Sequence, residues 1–241
     1  MKAVIVIPAR WASTRFPGKP MAMISGVSLI QRVYERASKS ERADAVYVAT
    51  DDDRIAEHVV RFGGRAVQPE GAFATGTDRI AAALPLFDEI YDQVINVQGD
   101  EPLIDVRSID DVIAALDLPD VDMVTLACPI DSEDEYQSRD VVKVVTDLTG
   151  NALYFSRAPI PFGSRTLARR HIGLYGYQSG VLRALAETAP SPLEAAESLE
   201  QLRALQNNFN IRVLHSDMPH LGVDRPEDIE RVERELARLA R

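Results

Sequence analysis

Apolar and polar positions along the first half of the chain form blocks that predict strands and helices in turn. Short runs rich in β-branched residues, at 4–7, 45–49 and 93–97, have the composition of buried parallel strands. Between these runs, apolar residues recur every three or four positions, as on the buried face of a helix. The alternation predicts a mostly parallel sheet covered by helices. The helical faces comprise Leu29, Val33 and Ala37 and, before the Gly63–Gly64 stop, Ile55, Val59 and Phe62.

The second half has a less regular pattern. Two runs at 141–145 and 152–155 predict strands, which we expect to be antiparallel, and 159–170 predicts a loop with several cations. Apolar residues spaced along 193–206 predict one helix, and Pro226 with the following acids predicts the start of a C-terminal helix. We therefore expect one domain over residues 1–241, with a soft subdivision near 129–140.

Composition narrows the class of protein. The 241 residues are 46% hydrophobic, which is enough for a sizeable core. The 27 basic and 37 acidic residues give a net charge of −10, a poor basis for binding nucleic acid or anionic membranes. The single cysteine, Cys128, lies in an apolar run and is expected to be buried. No apolar run has the length of a membrane span or the order of a signal peptide, so we expect a cytoplasmic protein.

Three cations follow the first predicted strand. In open α/β sheets, ligands bind outside the carboxyl ends of the strands, which is where Arg10, Arg15 and Lys19 lie in the sequence. Arginine and lysine are the residues that bind phosphate oxygens. A phosphate-rich ligand is the favoured interpretation, and a solvated loop with ordinary surface cations is the alternative.

A second predicted strand ends in Asn96–Pro102, a glycine turn followed by acids. A carboxylate at Asp100, facing the cationic loop, is what a magnesium–nucleotide site requires, because Mg²⁺ often uses one or two carboxylates plus substrate phosphates. A plain turn is the alternative. Asp224 is either a second metal carboxylate or the cap of the last helix, and Thr75 is either a nucleotide contact or a helix cap. The acids at 51–53 are best explained by capping.

Further motifs lie along the chain: Pro8–Arg10, Ser13–Arg15, Pro17–Pro20, Gly76–Arg79, Asn96–Pro102, Ala152–Arg157, His171–Tyr177, Leu199–Arg203, Gly222–Asp224 and Pro226–Asp228. Together these segments resemble the 3-deoxy-manno-octulosonate cytidylyltransferase family. The first loop is shared by many nucleotidyltransferases, whereas the later motifs are more specific to the acid-sugar half of the site. Trp11 stands where the family commonly has tyrosine, and Phe73 where a histidine is common. The matching segments run through nearly the whole chain in the family's order.

The resemblance implies a Rossmann-like α/β nucleotidyltransferase, with a smaller antiparallel part for sugar binding or dimerisation, that acts as a homodimer. Its substrates would be CTP and 3-deoxy-manno-octulosonate (Kdo), and its cofactor Mg²⁺. The resemblance assigns Asp100 and Asp224 to the metal and, with Lys19, to catalysis. It assigns Pro8, Ala9, Arg10, Arg15, Lys19, Thr75, Arg79 and Gln98 to the nucleotide, and Gln98, Arg157, His171, Tyr175, Glu200 and Gln201 to the sugar.

Local sequence leaves alternatives to these assignments. A lone histidine such as His171 is more often structural, and Glu200 and Gln201 would ordinarily belong to the solvated face of a helix. A cytidylyltransferase for a related acid sugar, such as 8-amino-Kdo or sialic acid, would have much the same first loop. A nucleotide-binding module without turnover is the alternative from another class, although such a module would not need both Asp100 and Asp224.

Overall fold

The computed structural model describes residues 1–12, 16–73, 75–217 and 221–239. The chain forms two compact units. The first unit comprises Met1–Asp110 and Pro219–Arg241, and the second unit comprises Asp111–Met218. The expectation of one domain with a subdivision near 129–140 stays a prediction. None of the helices in the described ranges has the length and apolar character of a membrane span.

The first unit is built on parallel strands. Strand β1 (Ala3–Ala9) pairs with β6 (Gln93–Asn96) on one side and with β4 (Ala45–Thr50) on the other. Strand β4 also pairs with β5 (Ala66–Val67), and all three pairings are parallel. Ala3–Ile7 are completely buried, as the run of β-branched residues predicted. The elements of this unit are β1 (Ala3–Ala9), β2 (Met23–Ile24), β3 (Val27–Ser28), α1 (Leu29–Ala37), β4 (Ala45–Thr50), α2 (Asp53–Arg61), β5 (Ala66–Val67), α3 (Gly76–Ala83), β6 (Gln93–Asn96) and α9 (Asp228–Leu239), with 3-10 turns at Lys19–Met21 and Leu84–Leu86; α4 (Val106–Leu116) contains the division between the units.

Capping residues set the helix starts of the first unit. The Ser28 hydroxyl accepts the Gln31 N–H at 3.3 Å at the start of α1, and the Asp52 carboxylate accepts the Arg54 N–H at 3.0 Å at the start of α2. The predicted face of α1 is buried, and Asp52 caps α2 as the sequence predicted. Both helices pack against the parallel strands, so the loops between them are held at the strand ends.

The second unit is mainly antiparallel. Strand β7 pairs with β10 antiparallel and with β11 in parallel, and β8 pairs antiparallel with both β10 and β9. The predicted α/β class, with a mostly parallel sheet and a smaller antiparallel part, is therefore confirmed. The elements are β7 (Met123–Pro129), α5 (Glu133–Gln137), β8 (Lys143–Thr146), β9 (Ala152–Ser156), β10 (Arg169–Gln178), α6 (Ser179–Glu187), α7 (Pro192–Glu197), α8 (Gln201–Gln206) and β11 (Ile211–His215), with a 3-10 turn at Arg165–Leu167.

The prediction of one helix over 193–206 is wrong, because the chain breaks between α7 and α8. Ser198 adopts a left-handed conformation with φ of 54°, which ends α7. The Glu197 carboxylate, at the end of α7, accepts the Ser156 hydroxyl at 2.6 Å and the Arg157 N–H at 2.8 Å. These side-chain bonds to another segment outweigh the local helical periodicity.

Candidate functional site

The loop after β1 folds back on itself in the first unit. The Trp11 carbonyl accepts the Gly18 N–H at 3.1 Å, and the Arg54 guanidinium stacks 3.4 Å from the centre of the Trp11 ring. Gly18 has φ of 70°, and a Cβ there would lie 3.2 Å from that ring. This fold directs the chain into the turn that begins at Lys19. The predicted Arg15, with Ser13 and Thr14, lies outside the described residues.

Pro8 lies where three segments of the first unit meet. A Cβ on Gly99 would approach the Pro8 carbonyl oxygen to 3.0 Å, so this close approach requires glycine. A Cβ on Gly76, at the start of α3, would lie 3.5 Å from the Pro8 ring. The ends of β1 and β6 and the start of α3 are therefore neighbours. Ala9 is buried and Arg10 is exposed at this edge.

Lys19, Asp100 and Asp224 form a charged cluster in the first unit. The Lys19 Nζ donates to the Asp100 Oδ2 at 2.7 Å and lies 3.8 Å from the Asp224 Oδ1. The Val223 N–H donates to the Asp100 carbonyl at 2.9 Å, which brings Asp224 beside the turn after β6. The Asp228 carboxylate accepts the N–H groups of Asp224 and Arg225, each at 2.9 Å. Residues far apart in sequence thus converge on one ammonium group.

The cluster has the chemistry of a divalent-cation site. Burial raises the pKa of Asp100, and the neighbouring Lys19 ammonium opposes that shift. Two carboxylates on one cation are hard oxygen donors of the kind Mg²⁺ prefers, and the Lys19 ammonium stands in for that cation. No group of three or more His, Cys, Asp or Glu side chains within the described residues is arranged to hold a metal. Substrate or water oxygens would have to complete the coordination.

The other predicted nucleotide residues of the first unit have defined partners. The Thr75 hydroxyl accepts the Asp78 N–H at 3.1 Å and so caps α3. The Arg79 Nη2 donates to Asp51 at 2.9 Å, and its guanidinium lies 5.2 Å from the Phe73 ring centre. The Arg79 Nη1 is buried and has no hydrogen-bond partner among the described residues. A buried, unpaired guanidinium donor is costly to maintain, which is a reason to expect a ligand acceptor there. The Gln98 amide donates to the Asn96 side chain at 3.3 Å.

His171 and Tyr175 lie on β10 in the second unit and form an aromatic cluster. Their ring centres are 5.3 Å apart, and the Phe155 ring, whose centre lies 5.2 Å from that of His171, is nearly perpendicular to it. Burial lowers the pKa of His171 to about 3, so the imidazole is neutral. Burial, and to a smaller degree Tyr177 and Glu200, raises the pKa of Tyr175, so its hydroxyl remains protonated. This cluster offers neutral hydrogen-bonding groups.

Gln201 and Arg157 differ in how their polar groups are used in the second unit. Gln201 is only 6% exposed, and its Nε2 has no hydrogen-bond partner among the described residues. The preceding Glu200 is exposed. The Arg157 guanidinium instead donates to the carbonyls of Arg139, Glu197 and Ser198 at 3.0, 2.8 and 3.4 Å. Gln201 therefore retains an unused donor, whereas Arg157 fixes the backbone around the end of α7.

Sequence reasoning missed residues that hold these groups in place. Thr125 bonds the His171 ring, Asp51 bonds Arg79, and the Glu197 carboxylate bonds the Arg157 N–H. Thr125 is a hydroxyl in an otherwise apolar strand, a signal that the sequence does contain. The pairing of Glu197 with the end of β9 has no local signature.

Comparison with known proteins identifies the relatives of the chain. The sequence profile of a family described as "Cytidylyltransferase" matches residues 4–213. A 3-deoxy-manno-octulosonate cytidylyltransferase of Geobacter metallireducens is 46% identical over 99% of both chains. A protein of the same name from Syntrophotalea carbinolica is 49% identical over 99% of this chain and 100% of its own. This chain belongs to the 3-deoxy-manno-octulosonate cytidylyltransferase family.

A solved structure of this family has the same fold. It is CMP:2-keto-3-deoxy-manno-octonic acid synthetase complexed with CTP, 40% identical over 99% of both chains, with a TM-score of 0.93. The family membership that the sequence motifs suggested is therefore confirmed, and with it the class of nucleotidyltransferase. Because both the identity and the coverage are high, the cytidylyltransferase fold extends over the whole described chain.

Proposed function

We propose that the protein transfers CMP from CTP to Kdo, releasing pyrophosphate and forming CMP-Kdo for lipopolysaccharide biosynthesis. The observation that carries this proposal is the cluster of Lys19, Asp100 and Asp224, in which two carboxylates and an ammonium converge at the strand ends of the first unit. Relatives named for this activity align with the chain from end to end. A solved relative is described as complexed with CTP.

The reaction joins the anomeric oxygen of the sugar to the α-phosphorus of CTP. The bond from that phosphorus to the bridging oxygen of the β-phosphate breaks, pyrophosphate leaves with the bond electrons, and the anomeric hydroxyl loses its proton. The attacking hydroxyl approaches an anionic phosphate, so positive charge is needed to offset repulsion. In this proposal Arg10, Arg15 and Lys19 bind the triphosphate. Pro8, Ala9, Thr75, Arg79 and Gln98 surround the cytidine.

Asp100 and Asp224 would hold Mg²⁺ together with phosphate oxygens. When bound, the ion would neutralise charge on the phosphates and lower the pKa of a hydroxyl attached to it. The partly buried carboxylate of Asp100 fits this role, because a nearby cation offsets the cost of its desolvation. Lys19 supplies that positive charge in the described structure and would pair with the triphosphate in the complex.

The acid sugar would be bound mainly by neutral polar side chains. The unused Nε2 of Gln201 and the neutral ring of His171 support this assignment, because polyhydroxylated ligands require neutral donors and acceptors. The proposed sugar residues are Gln98, Arg157, His171, Tyr175, Glu200 and Gln201. A homodimer, which the family resemblance implies, and a cytoplasmic location, which the sequence pattern predicts, complete the proposal.

Pyrophosphate release from CTP and Mg²⁺ with a panel of acid sugars tests this function. We expect turnover with Kdo and much less with 8-amino-Kdo or sialic acid. Faster turnover with one of those sugars would reassign the substrate within the same class. Tight CTP binding with no pyrophosphate release from any sugar would instead indicate a binding module. Omitting Mg²⁺ and adding a chelator should abolish release, and sedimentation of the same preparation tests the dimer.

A further inference from the structure

Thr125 lies at an irregularity in the pairing of β7 with β10. Ile172 pairs with Leu126 but Tyr175 pairs with Thr125, so Gly173 and Leu174 are additional residues in β10. Thr125 is completely buried in β7. Its Oγ1 lies 3.1 Å from the Ile172 carbonyl oxygen and 2.9 Å from that of Leu174. The hydroxyl therefore occupies the bulge.

The same Oγ1 also lies 3.0 Å from the His171 Nε2. A threonine hydroxyl has one hydrogen and two acceptor lone pairs. If the hydrogen pointed to Nε2, the oxygen lone pairs would face two carbonyl oxygens, which only accept. The hydrogen therefore goes to the carbonyls of Ile172 and Leu174, and the His171 Nε2 must carry a proton and donate to Oγ1. A neutral imidazole protonated at Nε2 has a bare Nδ1 lone pair.

The Nδ1 of His171 makes no hydrogen bond within the described part of the chain. A lone pair there accepts from a hydroxyl and repels a carboxylate. We propose that Thr125 is a positioning residue that fixes His171 as the Nε2–H tautomer, so that Nδ1 accepts a hydroxyl of the sugar and not its carboxylate. The identity of the ligand rests on the proposed function, whereas the tautomer does not.

The tautomer can be measured directly on the full-length protein. Long-range ¹H–¹⁵N spectra of protein labelled in histidine distinguish Nε2–H from Nδ1–H rings, and His171→Asn identifies the signal. We expect the Nε2–H pattern at pH 7 in the wild type and in Thr125→Ser, which retains the hydroxyl. We expect a mixture of tautomers in Thr125→Val. An Nδ1–H ring in the wild type would overturn the proposal, even if the valine variant failed to fold.

Kinetics test the consequence for the sugar. Thr125→Val should raise the KM for Kdo roughly tenfold, the effect of losing one well-oriented hydrogen bond, and leave the KM for CTP within about twofold. Thr125→Ser should restore most of the loss. Thr146→Val, the same change at an exposed position of the second unit, is the matched control and should change neither KM. Equal losses for CTP and sugar in Thr125→Val would contradict a positioning role.

The two proposals fail in different ways. If the wild type shows the Nε2–H pattern but no pyrophosphate release with Kdo, the proposed function fails and the tautomer assignment stands. If the wild type turns over Kdo and the sugar KM of Thr125→Val equals that of the wild type, the positioning role fails while the function stands. The serine variant separates hydroxyl loss from general damage, because it keeps the donor but removes the methyl group.

Discussion

The two units present opposite kinds of polar site. In the first unit, Lys19, Asp100 and Asp224 are ionisable side chains that remain partly open to solvent, with side-chain exposures of 18, 33 and 57%. In the second unit, His171 and Tyr175 are kept neutral by burial, and Gln201 is an uncharged amide. The first arrangement suits a ligand whose charge changes during reaction. The second suits a polyhydroxylated ligand that must be oriented.

The two sites should also respond differently to substitution. A charged cluster in partial contact with water contributes little to stability, so its residues can be changed without unfolding the chain. Where a neutral side chain of the second unit is hydrogen-bonded, losing that bond affects both fold and binding. Variants of the first unit should therefore alter turnover with little change in melting. Variants that remove a hydrogen bond of the neutral cluster in the second unit should alter sugar binding and stability together.

Asp100→Asn should have the largest effect on turnover, because it removes a carboxylate from the charged cluster of the first unit. The amide keeps the shape but supplies no negative charge to a cation. We expect turnover to fall at least about a thousandfold, about 4 kcal/mol in the activation free energy, with melting nearly unchanged. Pyrophosphate release at saturating Mg²⁺ measures the turnover. Asp53→Asn, an exposed carboxylate of the same unit that bonds Gln68, is the control. Wild-type turnover in folded Asp100→Asn would remove Asp100 from the reaction.

Asp224→Asn should have the next largest effect and decides between the two roles left open for this residue. Asparagine caps helices about as well as aspartate, so a cap would leave both melting and turnover intact. A metal ligand would lose turnover, and we expect about a hundredfold loss, about 2.7 kcal/mol. The Asp228 carboxylate already accepts the N–H groups before α9, which favours an unchanged melting curve. Normal turnover would leave Asp100 as the single metal carboxylate.

The sequence predicts the first unit better than the second. The parallel strands of the first unit and their loops can be predicted from the sequence, because β-branched runs and clustered charges are local signals. The convergence of Asp224 on Lys19 follows only from the order of motifs, since 205 positions separate these residues. In the second unit the 193–206 helix was predicted as continuous. Its break depends on Glu197 bonding Ser156, a long-range contact that no periodicity reveals.

Only the family resemblance predicts the neutral cluster of the second unit as a site. His171 by itself has the appearance of a structural histidine, and Gln201 that of a surface residue. What distinguishes them is the burial of the imidazole and an amide donor without a partner, and both arise from tertiary packing. Thr125 lies in an apolar run of the sequence, and the bulge beside it is set by strand pairing and not by composition.

The neutral state of His171 predicts a pH dependence of stability. Its pKa is about 3 in the folded chain, against about 6.5 when unfolded. Below pH 6.5 the unfolded chain binds a proton that the folded chain excludes, so stability falls as the pH falls toward 3. By pH 5 this loss should reach at most about 2 kcal/mol, and less where the ring retains contact with water.

Denaturant unfolding from pH 7.5 to 5 measures this loss. His171→Asn should be less stable than the wild type at pH 7.5 but should lose less stability on acidification. His215→Asn, the same substitution at an exposed histidine of the second unit, serves as the matched control. Equal slopes in the wild type and His171→Asn would show that the imidazole is not held neutral by burial.

Gln201→Leu should have the smallest effect on the fold and the clearest split between stability and binding. The Nε2 of Gln201 is buried without a partner, so the folded chain bears an uncompensated desolvation cost. Leucine has a similar size and no polar atom, and it should leave the free energy of unfolding unchanged or raise it by up to about 1 kcal/mol. If the amide donates to the sugar, the KM for Kdo should still rise roughly fivefold while the KM for CTP is constant.

Gln206→Leu, at the other end of α8, is the control for this prediction. The Gln206 side chain accepts the Leu193 N–H at 3.1 Å, so this variant should lower stability without affecting either KM. A stable Gln201→Leu variant with unchanged sugar kinetics would mean that the unused donor serves no ligand, and the second unit would lose its strongest evidence for sugar binding.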